Sequence, residues 1–138
     1  MRKYFIITIA LFSLVACANE SLPEQVDKNN QNEEISSEIS YETIELDEID
    51  DYVADGYIVV DVREPDEFAS GHIPDAINLP LTKLQMGDVE PLEQDKSYVI
   101  ICRSGNRSVT ASNILTDLGF DVVNVREGMS TWTGEIEK

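Results

Sequence analysis

The apolar residues of this chain fall into short runs separated by polar segments that contain glycine or proline, and this pattern predicts alternating strands and helices. Two continuous runs rich in β-branched residues, 57–62 and 98–101, are typical of buried parallel strands. Shorter segments at 41–46, 76–79 and 122–125 predict three further strands.

Segments with helical spacing lie between the predicted strands. A long helix is predicted after the segment 102–108, with apolar residues at 111, 114, 115 and 118. Shorter helices or helical turns are predicted at 46–53, 64–70 and 129–132, and one helical turn followed by a loop at 82–95. Strands that alternate with helices form βαβ units, so the sequence predicts an α/β fold with a mostly parallel sheet.

The amino terminus carries the features of an export signal. Arg2 and Lys3 precede an apolar stretch of 13 residues, 4–16, which is too short to span a membrane and has the length of a signal-peptide core. The stretch ends in Leu14-Val15-Ala16-Cys17, which resembles the bacterial lipobox. We therefore expect 1–16 to be a lipoprotein signal peptide and Cys17 to be lipidated. The alternative is an ordinary secretory signal peptide, in which Cys17 has no role. The expected location is the cell envelope, with a lipid anchor on the extracytoplasmic side of a bacterial membrane.

The segment that follows cannot build a core. Residues 18–39 contain six acidic residues, one lysine and no aromatic residue. Such a composition buries too little apolar surface to offset the entropy of ordering the chain. The sequence therefore predicts a disordered acidic tether over 17–39 and one domain over 40–138, since a chain of 138 residues accommodates one domain and not two.

The charge of the chain excludes one class of partner. The formal net charge is −17, from 27 acidic and 10 basic residues. Nucleic acid binding needs a positive face, so we expect no nucleic acid partner. Separately, we expect the protein to be a monomer.

The strongest chemical candidate is the segment Cys102–Ser108, the Cys102 loop, which joins the predicted strand 98–101 to the long helix. Backbone N–H groups at a helix start lack intrahelical partners and carry positive partial charge, which stabilises a thiolate. Arg103 and Arg107 add full positive charge. If Cys17 is lipidated, Cys102 has no partner for an internal disulfide, which favours a reactive thiol over a buried inert cysteine.

Four segments of the chain resemble the rhodanese family of single-domain sulfurtransferases: 61–68, 71–80, 102–108 and 128–132. The resemblance implies a five-stranded, mostly parallel sheet with helices on both faces. It also implies thiosulfate sulfurtransferase activity, in which a sulfane sulfur moves from an anionic donor to a thiol or cyanide through a persulfide on Cys102.

The resemblance and the local sequence together suggest roles for individual residues of the Cys102 loop and its surroundings. The residues matching the family's anion cradle are Arg103, Ser104, Gly105, Asn106 and Arg107, and the middle three would act through backbone N–H groups. Arg107 is expected to bind the anionic donor, with a loop-bracing salt bridge as the alternative. Asp61 and Arg63 are expected to support the scaffold, Ser108 to cap the helix, and His72 to make a structural hydrogen bond. We expect no cofactor, and the sequence shows no cluster of metal ligands.

Three other functions are alternatives to sulfur transfer. Phosphatases and arsenate reductases use related loops with five residues between cysteine and arginine, whereas four separate Cys102 from Arg107, and the shorter loop suits a single sulfur atom. A thiol–disulfide exchanger would need a second cysteine to resolve a mixed disulfide. A non-enzymatic module that binds a persulfide or a protein stays open, although the presence of Cys102 favours the enzyme.

Overall fold

The structure, a computed structural model, describes residues 41–138. At its centre lies a five-stranded sheet. The strands lie in the order β1-β5-β4-β2-β3, and every neighbouring pair is parallel, which confirms the predicted sheet. Their bounds are β1 Glu42–Ile44, β2 Ile58–Asp61, β3 Ile77–Asn78, β4 Ser97–Ile101 and β5 Asp121–Val125. The predicted signal peptide (1–16) and the tether with Cys17 (17–39) lie outside the described residues and stay predictions.

Four α-helices connect the strands, and their bounds are α1 Ile49–Ala54, α2 Pro65–Ser70, α3 Leu81–Gln85 and α4 Asn106–Asp117. A 3-10 turn, Leu46–Glu48, precedes α1. This turn corrects the prediction of one continuous helical face from 46 to 53, because a 3-10 turn has about three residues per turn and changes the phase of the face. Val53 is consequently 44% exposed, whereas Tyr52 packs against the core.

The helical turn predicted at 129–132 is a single hydrogen-bonded turn in the structure, without the further bonds of a helix. The backbone N–H of Met129 donates to the carbonyl oxygen of Cys102 at 2.9 Å, and that of Ser130 donates to the carbonyl oxygen of Arg103 at 3.0 Å. The turn is closed by the N–H of Thr131, which donates to the carbonyl oxygen of Gly128 at 3.0 Å. Its first two N–H groups thus hold the Cys102 loop.

The apolar core lies on both faces of the sheet, since successive strand residues point to opposite sides. Ile100 packs in one cluster with Leu84 of α3 and Leu115 of α4. Ile101 packs in a second cluster with Ile49 of α1. The predicted placement of helices on both faces is therefore confirmed.

Parallel strands bring three polar residues to one edge of the sheet. Asp61 ends β2, Cys102 follows β4 and Arg126 follows β5. Ligand and catalytic sites of open α/β sheets lie outside this carboxyl edge. Within residues 41–138, no helix is both long enough and apolar enough to cross a bilayer.

Candidate active site

The thiol of Cys102 lies at the point where β4 leads into α4. The residue is 1% exposed, and its Sγ accepts a hydrogen bond from the backbone N–H of Gly105 at 3.2 Å. Helix α4 begins at Asn106, directly after this bond. The chain therefore turns around the sulfur and presents the start of a helix to it.

Two glycines allow this tight turn. Gly105 has a φ of +87°, in the left-handed region, and a Cβ there would collide with the carbonyl oxygen of Arg126. A Cβ on Gly128 would collide with the backbone of Cys102 and Arg103. The Cys102 loop thus packs directly against the backbone that follows β5, and side chains at these two positions would separate them.

The loop carries several backbone N–H groups without a protein acceptor. In the part of the chain that the structure describes, the N–H groups of Arg103, Ser104, Asn106 and Arg107 have no hydrogen-bond partner. Unpartnered amides at the start of a long helix are suited to hold an anion. The structure therefore brings together the residues of the predicted anion cradle, with the N–H of Gly105 already on the sulfur.

Arg107 makes the salt bridge that was its alternative role. Its Nη1 donates to Oε2 of Glu67 at 2.6 Å and its Nη2 donates to Oε1 at 2.9 Å, a forked pair between α4 and α2. The hydrogen bonds from Arg107 lower the pKa of Glu67 from 4.5 to about 2, although burial opposes the shift. The same bonds raise the pKa of Arg107, burial opposes this shift, and the negative charge of Glu67 adds to it.

This pair makes a testable contribution to stability. Because the pKa of Glu67 is lowered in the folded chain, the pair stabilises fully above pH 4.5 and its contribution is lost as the pH falls toward about 2. We expect Glu67→Gln to lower the free energy of unfolding at pH 7 by about 1 kcal/mol, since both side chains remain partly exposed. At pH 3 the difference between the two chains should be roughly halved or less. Urea unfolding at both pH values measures it.

Asp66→Asn is the matched control for that measurement. Asp66 lies on the same helix, is exposed and makes no ion pair among residues 41–138. The difference in free energy of unfolding between Asp66→Asn and the wild-type chain should be nearly the same at pH 7 and at pH 3. A Glu67→Gln difference that is equal at both pH values would contradict the pairing.

Arg103 differs from the other arginines. It is exposed, and it is the one arginine among residues 41–138 that has no carboxylate within ion-pair distance. Together with Glu67, Ser70 and Ser130 it lines an open cavity of about 220 Å³. Arg103 therefore has its full charge available to a bound anion.

Asp61 and Arg63 form a buried ion pair at the end of β2. Arg63 Nη2 lies 2.6 Å from Asp61 Oδ2, and the two residues are 6% and 1% exposed. Arg63 Nη2 also donates to the carbonyl oxygen of Gly71 at 2.8 Å, which follows α2. The side chain of Asn78 donates to the carbonyl oxygens of Asp61 and Arg63 at 3.0 and 2.9 Å. These bonds fix the position of α2, and with it Glu67, relative to the sheet.

Ser108 does not cap the helix, so that prediction is wrong. Gly105 occupies the N-cap position of α4, and Ser108 is the third residue of the helix. Its buried hydroxyl donates to the carbonyl oxygen of Gly105 at 2.9 Å and lies 3.3 Å from that of Val125. A capping hydroxyl accepts from helix N–H groups, whereas Ser108 ties the start of α4 to the end of β5.

His72 makes the structural hydrogen bond expected of it. Its Nδ1 lies 3.0 Å from the carbonyl oxygen of Phe68, and its ring stacks on the ring of Phe68 at a centroid distance of 3.6 Å. Its backbone pairs with that of Glu137. Within residues 41–138, no three His, Cys, Asp or Glu side chains are grouped so that they could hold a metal ion.

Glu67 is the site residue that the sequence did not reveal. The only local signal was its place in a capping box with Glu64, which explains a helix start and says nothing of Arg107.

Comparison with known proteins gives a consistent picture. A family model described as the rhodanese-like domain matches residues 45–135. The Bacillus subtilis protein YtwF, provisionally named a sulfurtransferase, is 42% identical over 106 residues, which cover 74% of this chain and 91% of YtwF. A sulfurtransferase of Allochromatium vinosum is 41% identical over 78 residues, covering 54% of this chain and 70% of that protein.

Solved structures agree with the sequence relatives. A rhodanese-related protein of Thermoplasma volcanium superposes with a TM-score of 0.64 at 35% identity, and covers 70% of this chain and 98% of its own. The human single-domain sulfurtransferase TSTD1 superposes with a TM-score of 0.56 at 26% identity, covering 65% and 93%. Both matches extend over nearly the whole of the other chain.

Proposed function

The chain belongs to the family of rhodanese-like domains and its relatives include sulfurtransferases, and from that premise we propose that it transfers a sulfane sulfur through a persulfide on Cys102. The donor is thiosulfate or a similar small sulfur donor. The acceptor is a thiol or cyanide.

The reaction has two nucleophilic steps. In the first, the thiolate of Cys102 attacks the outer sulfur of thiosulfate, the sulfur–sulfur bond of the donor breaks, and sulfite leaves with the bonding electron pair. In the second, an acceptor thiolate or cyanide attacks the terminal sulfur of the persulfide. The bond between the two sulfurs of the persulfide breaks, and Cys102 is regenerated as a thiolate.

The observation that carries the proposal is the contact between Cys102 and the start of α4. The sulfur already accepts the N–H of Gly105 at 3.2 Å, and the neighbouring N–H groups of the loop have no other protein acceptor within residues 41–138. Amide donors fixed by the fold stabilise negative charge on sulfur in both steps, as an oxyanion hole does for oxygen. A phosphoryl group would need the guanidinium of Arg107, which is bonded to Glu67.

The test is the intact mass of the full chain. After incubation with thiosulfate, the protein should gain the mass of one sulfur atom, and a thiol or cyanide should remove it. Absence of the gain with every sulfur donor, together with hydrolysis of an aryl phosphate, would replace sulfur transfer with phosphatase activity. Sulfur loading without any release to an acceptor would favour the non-enzymatic persulfide-binding module.

We also propose that the domain is held on the outer face of a bacterial membrane through lipid on Cys17, a proposal supported by the sequence Leu14-Val15-Ala16-Cys17. In a bacterial host that receives a labelled fatty acid, the protein should incorporate label and sediment with membranes. Cys17→Ser should lose the label, whereas Cys102→Ser should keep it. Equal labelling of the Cys17→Ser variant would contradict the anchor.

A further inference from the structure

The positive charge around Cys102 is largely compensated within the fold. Arg63 is held by Asp61, and Arg107 is held by Glu67. Arg103 alone among the arginines of residues 41–138 has no carboxylate partner. The cradle therefore offers a donor one uncompensated guanidinium and several backbone N–H groups.

We propose that Glu67 is a specificity-determining residue: by occupying the fork of Arg107, it makes the site select small organic persulfides over the dianion thiosulfate. The inference rests on the proposed function, and it names the class of donor.

The argument begins with the geometry of the fork. Both terminal nitrogens of Arg107 donate to Glu67, at 2.6 and 2.9 Å. A dianion that uses Arg107 must either displace this carboxylate or lie next to it. Displacement breaks two charge-assisted hydrogen bonds, and coexistence places like charges together, so both arrangements disfavour thiosulfate.

Neither Arg103 nor the rest of the chain compensates for this loss. The side chain of Arg103 is exposed, so solvent weakens its attraction for an anion. The chain as a whole carries a formal charge of −17, which repels a dianion more strongly than a singly charged or neutral donor.

An organic persulfide avoids the repulsion that a dianion meets at this site. The thiolate of Cys102 attacks the outer sulfur of R–S–SH, the bond between the two donor sulfurs breaks, and R–S⁻ leaves with the electron pair. The outer sulfur remains on Cys102 with its proton, so charge and atoms balance without an added oxidant. The reacting end of such a donor carries at most one negative charge.

The cavity beside the loop has room for the organic part of the donor. Its volume is about 220 Å³. Its lining combines polar, charged and thioether side chains, from Ser70, Ser130, Met129, Arg63, Arg103 and Glu67. A small polar thiol such as cysteine offers matching groups.

The experiment compares two donors on the full chain. The rate of sulfur loading on Cys102 is followed by quenched intact-mass measurements with thiosulfate and with cysteine persulfide, and the ratio of the two second-order rate constants is taken. We expect Glu67→Gln to raise the ratio of thiosulfate to persulfide about tenfold, which corresponds to ~1.4 kcal/mol. Inorganic sulfate, a non-transferring dianion, should inhibit Glu67→Gln more strongly than the wild-type chain.

Asp66→Asn separates this effect from a general change of charge. It removes one negative charge from the same helix without touching Arg107, so its ratio should change less than about twofold. An equal rise in both variants, or a ratio that is unchanged or lower in Glu67→Gln, would overturn the inference. If neither donor loads Cys102 in the wild-type chain, the proposed function itself fails, a result distinct from loading with an unchanged ratio.

A second variant keeps the test decisive if Glu67→Gln does not fold. Glu67→Asp retains the charge and withdraws the carboxylate from the fork by one methylene group. It should raise the ratio in the same direction by a smaller factor. A folded Glu67→Asp chain with the wild-type ratio and the wild-type inhibition by sulfate would overturn the inference.

Discussion

Replacing Cys102 with serine should abolish sulfur transfer, with a loss of at least roughly a thousandfold in rate, as expected when a covalent nucleophile is removed. A serine hydroxyl is hardly ionised at neutral pH and cannot hold a sulfane sulfur. The contact with Gly105 N–H would remain available to the hydroxyl, so the fold should persist. The measurements are the intact mass after exposure to a sulfur donor and the rate of thiocyanate formation from cyanide.

The second cysteine of the chain provides the control. Cys17→Ser should load one sulfur atom as the wild-type chain does, because the proposal places Cys17 at the lipid anchor and not at the site. Sulfur loading that survives in Cys102→Ser, or disappears in Cys17→Ser, would contradict the assignment of sulfur transfer to Cys102.

Replacing Asp61 with alanine should lower the free energy of unfolding by about 3–5 kcal/mol, because it leaves the buried charge of Arg63 without its partner. Asp61 accepts hydrogen bonds from the backbone N–H, Nε and Nη2 of Arg63, and both residues are nearly inaccessible to solvent. Urea unfolding at neutral pH measures the change.

Two further variants give this measurement its meaning. Asp95→Ala breaks the pair with Lys96, in which the Asp95 side chain is 76% exposed, and should cost at most about 1 kcal/mol. The double variant Asp61→Ala/Arg63→Met removes both buried charges and should recover part of the loss. If Asp61→Ala costs no more than Asp95→Ala, the buried pair does not support the scaffold.

The sequence determined most elements of the fold and pointed to Cys102 as the proposed nucleophile. The β-branched runs at 57–62 and 98–101 become the two central strands β2 and β4, because such residues pack well when both faces of a parallel sheet are covered. The position of Cys102 between a strand and a helix follows from neighbouring residues alone. These features depend on local order along the chain, which sequence patterns record directly.

Only the tertiary structure decided the order of the strands and the partners of the charged side chains. Glu67 and Arg107 are 40 residues apart in the chain, and α2 and α4 bring them within 2.6 Å. The chain has 27 acidic residues, so composition cannot say which one holds Arg107. The turn at 129–131 also has partners distant in the chain, because the N–H groups of Met129 and Ser130 donate to carbonyl oxygens of the Cys102 loop. Long-range hydrogen bonds and ion pairs depend on which surfaces the fold brings together, and that is decided by the packing of the whole sheet and its helices.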